Sequence, residues 1–212
     1  MKRRIAQTFI ASLLAATVVS LSACDSGDDP IDPGPPEEPS DWVGSAACET
    51  CHDKAYTEHV GSAHAEHFQR VADGQAPLYV HAAQMEHPVR LPPPGHGWES
   101  IAFVLGGTSS YALFVDTDGQ VITGESAQWD LVAGQWTNYL PGQQQPFECG
   151  ACHTTGFDPG IEGIVDSWQL DGVACEACHG PGRKHVESGL VEDIVVNATT
   201  EFCEQCHANG HG

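Results

Sequence analysis

Positive charge is what this 212-residue chain has least of: eight Lys and Arg stand against 29 Asp and Glu, a formal net charge of −21. Phosphate binding needs a basic surface, so nucleic acid is excluded as a partner. Methionine is almost missing as well, with only Met1 and Met85. Nor does any apolar run reach the roughly 18 residues that span a bilayer. The longest begins at Ile10 and is broken by Ser and Thr before Cys24.

Cysteine and histidine are plentiful and patterned. Eight of nine cysteines form four CxxC pairs, Cys48/Cys51, Cys149/Cys152, Cys175/Cys178 and Cys203/Cys206. Each pair is followed at once by a histidine: His52, His153, His179 and His207. Zinc ribbons also pair CxxC motifs but do not require a His after each second Cys. A thioredoxin-like redox pair calls for one motif near a βαβ pattern, which is not found here. CxxCH is the attachment motif of haem c, in which both thiols add across the vinyl groups and the adjacent His ligates iron. The sequence therefore predicts four covalently bound haem c groups, held by those eight cysteines, with the four histidines as proximal ligands.

The ninth cysteine has a separate explanation. Residues 1–23 read as a lipoprotein signal peptide, with Lys2, Arg3 and Arg4 ahead of the apolar stretch and Leu21-Ser22-Ala23 before Cys24. Lipidation at Cys24 would leave no cysteine for a disulfide and would anchor the chain to a membrane. Residues 24–41 then form an acidic, Pro-rich tether too polar to fold, reaching on the order of 50 Å at about 3.1 Å per residue. Cleavage leaves five basic residues, Lys54, Arg70, Arg90, Arg183 and Lys184, against all 29 acidic ones. Such a surface suits redox partner proteins with basic docking faces, or simply keeps the chain soluble.

The remainder, 42–212, is expected to be a single tetrahaem domain. Its fold class is a mostly irregular multihaem cytochrome c fold with short helices at the haem motifs and little regular secondary structure. The β-rich runs of IAFVLGGTSSYALFVDTDGQVITG, with the turn signal Asp118-Gly119, predict a small antiparallel meander over about 101–124, continuing toward Trp136 and Tyr139. Helices are expected around the motifs, above all from Cys51 to Arg70. With four porphyrins to wrap, haem is expected to replace much of the apolar core, so that the haem-free chain fails to fold.

Three segments, VGSAACETCHDKAYTEHVGSAH, ECGACHTTGFDP and GVACEACHGPGRKHVE, resemble the multihaem cytochrome c family typified by the tetrahaem electron acceptor of hydroxylamine oxidoreductase. The stretch from IAFVLGG to QPFECGACHTTG resembles a branch of that family that includes filament-forming extracellular cytochromes. The resemblance implies mostly bis-histidine ligation. It places the family's Ser-x-His on Ser62 to His64 and its CHGPGxxH on Cys178 to His185. His64 and His185 are thereby implied as distal ligands, His185 reaching the iron of a neighbouring haem.

The other histidines compete for what is left. His59, His67, His87 and His96 are further distal candidates, by proximity to a motif or a Pro/Gly-rich loop, while His81 and His211 have less to support them. Met85 could serve one haem only. The expected function is electron transfer, without bond making, by a lipoprotein of the bacterial cell envelope, on its periplasmic or outer surface. The motif links Thr154 to Ala174 and Gly180 to Phe202 are too short to separate the last three haems widely. Two alternatives stand beside this reading. One is a subunit of an extracellular filament, a homopolymer; the other is a multihaem nitrogen-compound oxidoreductase with an open haem site.

Overall fold

The structure is a computed structural model that describes residues 40–80, 85–160, 167–195 and 199–208. The leader, Cys24 and most of the tether, together with His81 and His211, lie outside the described residues.

A 3-10 turn over Ser45–Cys48 runs into helix α1 (Glu49–Val60) and the short α2 (Ala63–Glu66). The chain then leaves the helical region at once. Phe68–Arg70 is a strand, β1, where a helix had been expected to reach Arg70. Strand pairing decides the matter: Phe68, Gln69 and Arg70 lie antiparallel to Leu105, Val104 and Phe103 of β2 (Ile101–Gly106). Three residues are too few to show a period, whereas burying Phe68 among Phe103, Phe147 and Trp168, at ring separations of 4.9, 5.3 and 5.4 Å, is worth roughly 1.5–3 kcal/mol.

The expected meander is present and larger than predicted. β2, β3 (Tyr111–Asp116), β4 (Gln120–Val121), β5 (Gly124–Asp130), β6 (Gln135–Tyr139) and β7 (Gln145–Pro146) join β1 in one seven-stranded antiparallel sheet. Its main path runs β1-β2-β3-β4-β7, and the β5–β6 hairpin branches off β3. Side chains alternate between the two faces. Phe103, Leu105, Val115 and Val121 join Phe68 and Trp168 on one side. Val104, Ala112, Phe114, Ile122, Ala127 and Leu131 join Tyr79 and Val89 on the other. A bulge between Ile101 and Phe103 turns Ile101 onto the second face.

The sheet has an apolar core of its own, beside whatever share of the core haem was expected to supply. The opposite holds for the motif helices. No residue is buried in α1, in α5 (Arg183–Ser188) or in α6 (Thr200–His207). A surface helix normally buries one face, and these bury none against the chain. On removal of haem, residues 101–139 should therefore keep slowly exchanging amides while α1 and α6 lose protection, which hydrogen exchange on the haem-free chain will show. Uniform loss of protection would restore the expectation of a wholly haem-dependent fold.

The remaining elements are short: α3 (Gly150–His153), a β8–β9 pair (Thr154–Thr155 with Leu170–Asp171) and α4 (Cys175–His179). Arg70 ties β9 to the sheet by a two-pronged pair with Asp171, both contacts 2.9 Å, while its guanidinium lies 4.6 Å from the Phe103 ring.

Candidate haem-binding site

The third motif is the fixed point of the site. Glu176, second residue of CEACH, is only 1% exposed, and its carboxylate accepts hydrogen bonds from the backbone N–H of Val43, Gly44 and Gly182 at 3.0, 2.8 and 2.7 Å. Three more contacts bring the first-motif segment to the same place. The Cys175 N–H donates to Ser45 Oγ at 3.2 Å, the Val173 N–H donates to the His64 carbonyl at 3.0 Å, and His59 Nε2 meets the Val173 carbonyl at 2.8 Å. Thr155, fully buried, joins the second motif to the third: its hydroxyl donates to the Gly172 carbonyl and accepts from the Ala174 N–H, both at 2.8 Å. Nothing in the sequence marked Glu176 or Thr155, which are ordinary residues in or beside a motif; only their burial makes them decisive.

This scaffold sets motif beside motif. Cys48 hydrogen-bonds Cys175, and burial together with that neighbour pushes the Cys48 thiol up to about 11. Cys206 is likewise pushed up to about 11 by burial and by its hydrogen bond with Cys152. Burial raises Cys178, and Cys203 adds to the shift. The motif order in space is therefore first, third, fourth, second. All eight thiols are free, and among the described residues no three His, Cys, Asp or Glu converge on a metal.

The imidazoles are arranged in pairs. His52 faces His185 with ring centres 6.2 Å apart and planes at 27°; His64 faces His207 at 5.9 Å and 59°. His67 faces His153 more closely, at 4.7 Å and 49°. Two imidazoles on opposite sides of one metal ion, with metal–nitrogen bonds of about 2 Å, have ring centres roughly 6.3 Å apart. The first two pairs match that span, and the third is closed in by over an ångström. Each pair takes one His from a CxxCH and one from elsewhere in the chain. Outer hydrogen bonds hold several rings by Nδ1 and leave Nε2 for a metal. His185 Nδ1 meets the Leu190 carbonyl at 2.8 Å, His179 Nδ1 the Val195 carbonyl at 2.9 Å, and His67 Nδ1 the carbonyls of Ala63 and His64 at 3.0 Å. Burial lowers the pKa of His64 and His67, which favours the neutral ring that metal ligation requires.

Local chain geometry presents these rings. His52 itself departs from helical dihedrals (φ −123°, ψ 40°), kinking α1 at the motif. After His179 the chain turns at Gly180, whose φ of +71° is open to glycine, and α5 then carries His185 toward the first motif. Among the described residues, no second imidazole packs against His179. Two candidates sit apart from any motif. His87 lies beside Trp129, whose indole N–H donates to its carbonyl at 2.9 Å, and His96 lies exposed in the turn after Pro93.

Residues 132–180, which hold the second and third motifs, match the sequence profile of the family described as cytochrome c554 and c-prime. Two solved structures share the architecture. One is the outer cell wall cytochrome OcwA, with a TM-score of 0.60 and 24% identity over 79% of this chain and 37% of that one. The other is an undecahaem cytochrome from the S-layer of Carboxydothermus ferrireducens, with a TM-score of 0.58 and 22% identity over 82% of this chain and 26% of that one. The fold is that of a multihaem cytochrome. The chain spans little more than a third of the first neighbour and about a quarter of the second. Among curated proteins there is no match. The multihaem cytochrome fold accounts for helices that bury nothing, for thiols gathered without disulfides, and for imidazoles set in pairs. On each count the residues present fit covalently attached haem.

Proposed function

We propose that the chain is a tetrahaem c-type cytochrome, an exported lipoprotein of the cell envelope that carries electrons between redox partners. The pairing of motif histidines with histidines from other segments is the observation that carries this reading. His52/His185, His207/His64 and His153/His67 would be the axial pairs of the haems attached at the first, fourth and second motifs. Haem supplies the one-electron chemistry, while the protein sets ligands, burial and spacing. Glu176 ties the first motif to the third and Thr155 ties the second to the third, while the thiol neighbours run in the order first, third, fourth, second, and that order is the path the proposal assigns to the electron. Lipidation at Cys24 and the acidic tether would keep the domain near a membrane, and the outer cell wall and S-layer origins in the neighbours' names agree with export.

A second reading gives the haem of the third motif an open position at which it acts on a small nitrogen compound. One set of measurements separates the two. The mature protein should have an intact mass showing four haems and one lipidated cysteine, and a ferric spectrum dominated by low-spin signals. Fewer than four haems would overturn the proposal. A persistent high-spin signal, with carbon monoxide binding to a single haem, would instead move the third motif to the oxidoreductase reading.

A further inference from the structure

The face of the sheet opposite the Phe68 cluster carries a feature built from residues outside the four haem motifs. On β5 and β6, Trp129 and Trp136 stand directly opposite one another, with ring centres 5.1 Å apart in an edge-to-face arrangement. A cross-strand aromatic pair stabilises a hairpin, which explains the contact between the rings. It does not explain the cavity of about 240 Å³ that opens over them, walled also by Glu86, His87, Arg90 and Leu91. The walls are held in place. The Trp129 indole N–H donates to the His87 carbonyl, and the His87 ring packs on Gly134, where a Cβ would come within 2.7 Å of it and where φ is +63°. Leu91 is left 68% exposed at this site.

The cation on this cavity is unusual in the chain. Outside the leader, Lys54 pairs with Glu58, Arg70 with Asp171, Arg183 with Glu187 and Lys184 with Asp193. Among the described residues Arg90 alone has no carboxylate partner, although acidic residues outnumber basic ones more than threefold. A guanidinium with no carboxylate partner among the described residues, on a cavity also walled by two indoles, is complementary to a flat ligand bearing a planar anionic group: the ring stacks on tryptophan and the anion takes the fork of the arginine. The cavity lies just under the usual size of ligand pockets, which limits the ligand to one or two fused rings.

We propose that the cavity formed by Trp129, Trp136, His87 and Arg90 is a binding site for a small planar aromatic anion, such as an aromatic carboxylate or a fused-ring quinone carrying a carboxylate or sulfonate. The site does not depend on the haem reading, so its failure and that of the electron-transfer proposal are separate results.

The test is calorimetric titration of the haem-loaded protein, at low ionic strength, with 2-naphthoate and its neutral counterpart 2-naphthamide. 2-Naphthoate should bind at least about tenfold more tightly than the amide, a difference of about 1.4 kcal/mol. Arg90→Ala, an exposed substitution that should leave the fold intact, should abolish that preference without weakening the amide. Trp136→Ala should weaken both ligands, in protein whose haem spectrum matches wild type. No heat from 2-naphthoate at millimolar concentration would overturn the proposal, as would equal affinity for acid and amide. Retention of the preference in Arg90→Ala would overturn it as well.

Discussion

Glu176→Ala is expected to destabilise the haem-loaded protein by about 4 kcal/mol, the largest effect of any single substitution outside the attachment residues. The carboxylate sits at the centre of three backbone N–H groups from two distant segments, Val43–Gly44 and Gly182. Hydrogen bonds to a charged group are worth about 1.5–3 kcal/mol each, and buried donors left without an acceptor cost about 1–3 kcal/mol apiece, part of which water entering the gap restores. Glu176→Gln keeps the volume and one acceptor oxygen but turns an amide NH₂ toward N–H donors, and should cost about half as much. Urea unfolding followed by far-ultraviolet circular dichroism measures both. An alanine variant within about 1 kcal/mol of wild type would show that the clamp contributes little. The effect should reach beyond stability, because Gly182 opens the helix that carries His185, and a loosened clamp lets that ring drift from His52.

How much of this could be read in the sequence follows from how local each signal is. The four CxxCH motifs were legible because covalent attachment fixes residue types at fixed spacing. The strands around Asp118-Gly119 were legible because apolar alternation and a turn dipeptide lie within a few residues of each other. β1 was not, since Phe68–Arg70 is a strand only through its pairing with β2, more than thirty positions away. Glu176 was hidden for the same reason: its partners at Val43 and Gly44 lie 133 and 132 residues off, and within CEACH it reads as a solvated spacer. Histidine roles divided along the same line. Nothing in the local sequence separates His67 from His96, yet one follows α2 and faces His153 while the other lies exposed in a proline-rich turn. The expectation that haem replaces much of the core was drawn from chain length and haem count, averages that do not see how unevenly apolar residues are spread. Between Ile101 and Leu131 both faces of the sheet are apolar, and α1, α5 and α6 keep no buried residue.

His185→Ala should leave four haems attached and change the iron of one. Thioether attachment and axial ligation are separate bonds, so removing the imidazole takes away a ligand and leaves haem content as it was. The ring lies 6.2 Å from His52, and its Nδ1 is held by the Leu190 carbonyl, so the changed haem is expected to be the one attached at Cys48 and Cys51 and not the one attached nearest in sequence, at Cys175 and Cys178. The ferric spectrum should gain a high-spin component equal to one haem in four, and that haem should bind cyanide or carbon monoxide. A second variant identifies it. With Cys48 and Cys51 both replaced by alanine, the protein should carry three haems, and adding His185→Ala should then produce no new high-spin signal, since the iron that His185 serves is already gone. An unchanged spectrum in the single variant would falsify the ligand role. A high-spin signal that persists in the Cys48/Cys51 background would assign His185 to another haem and break the pairing of His52 with His185.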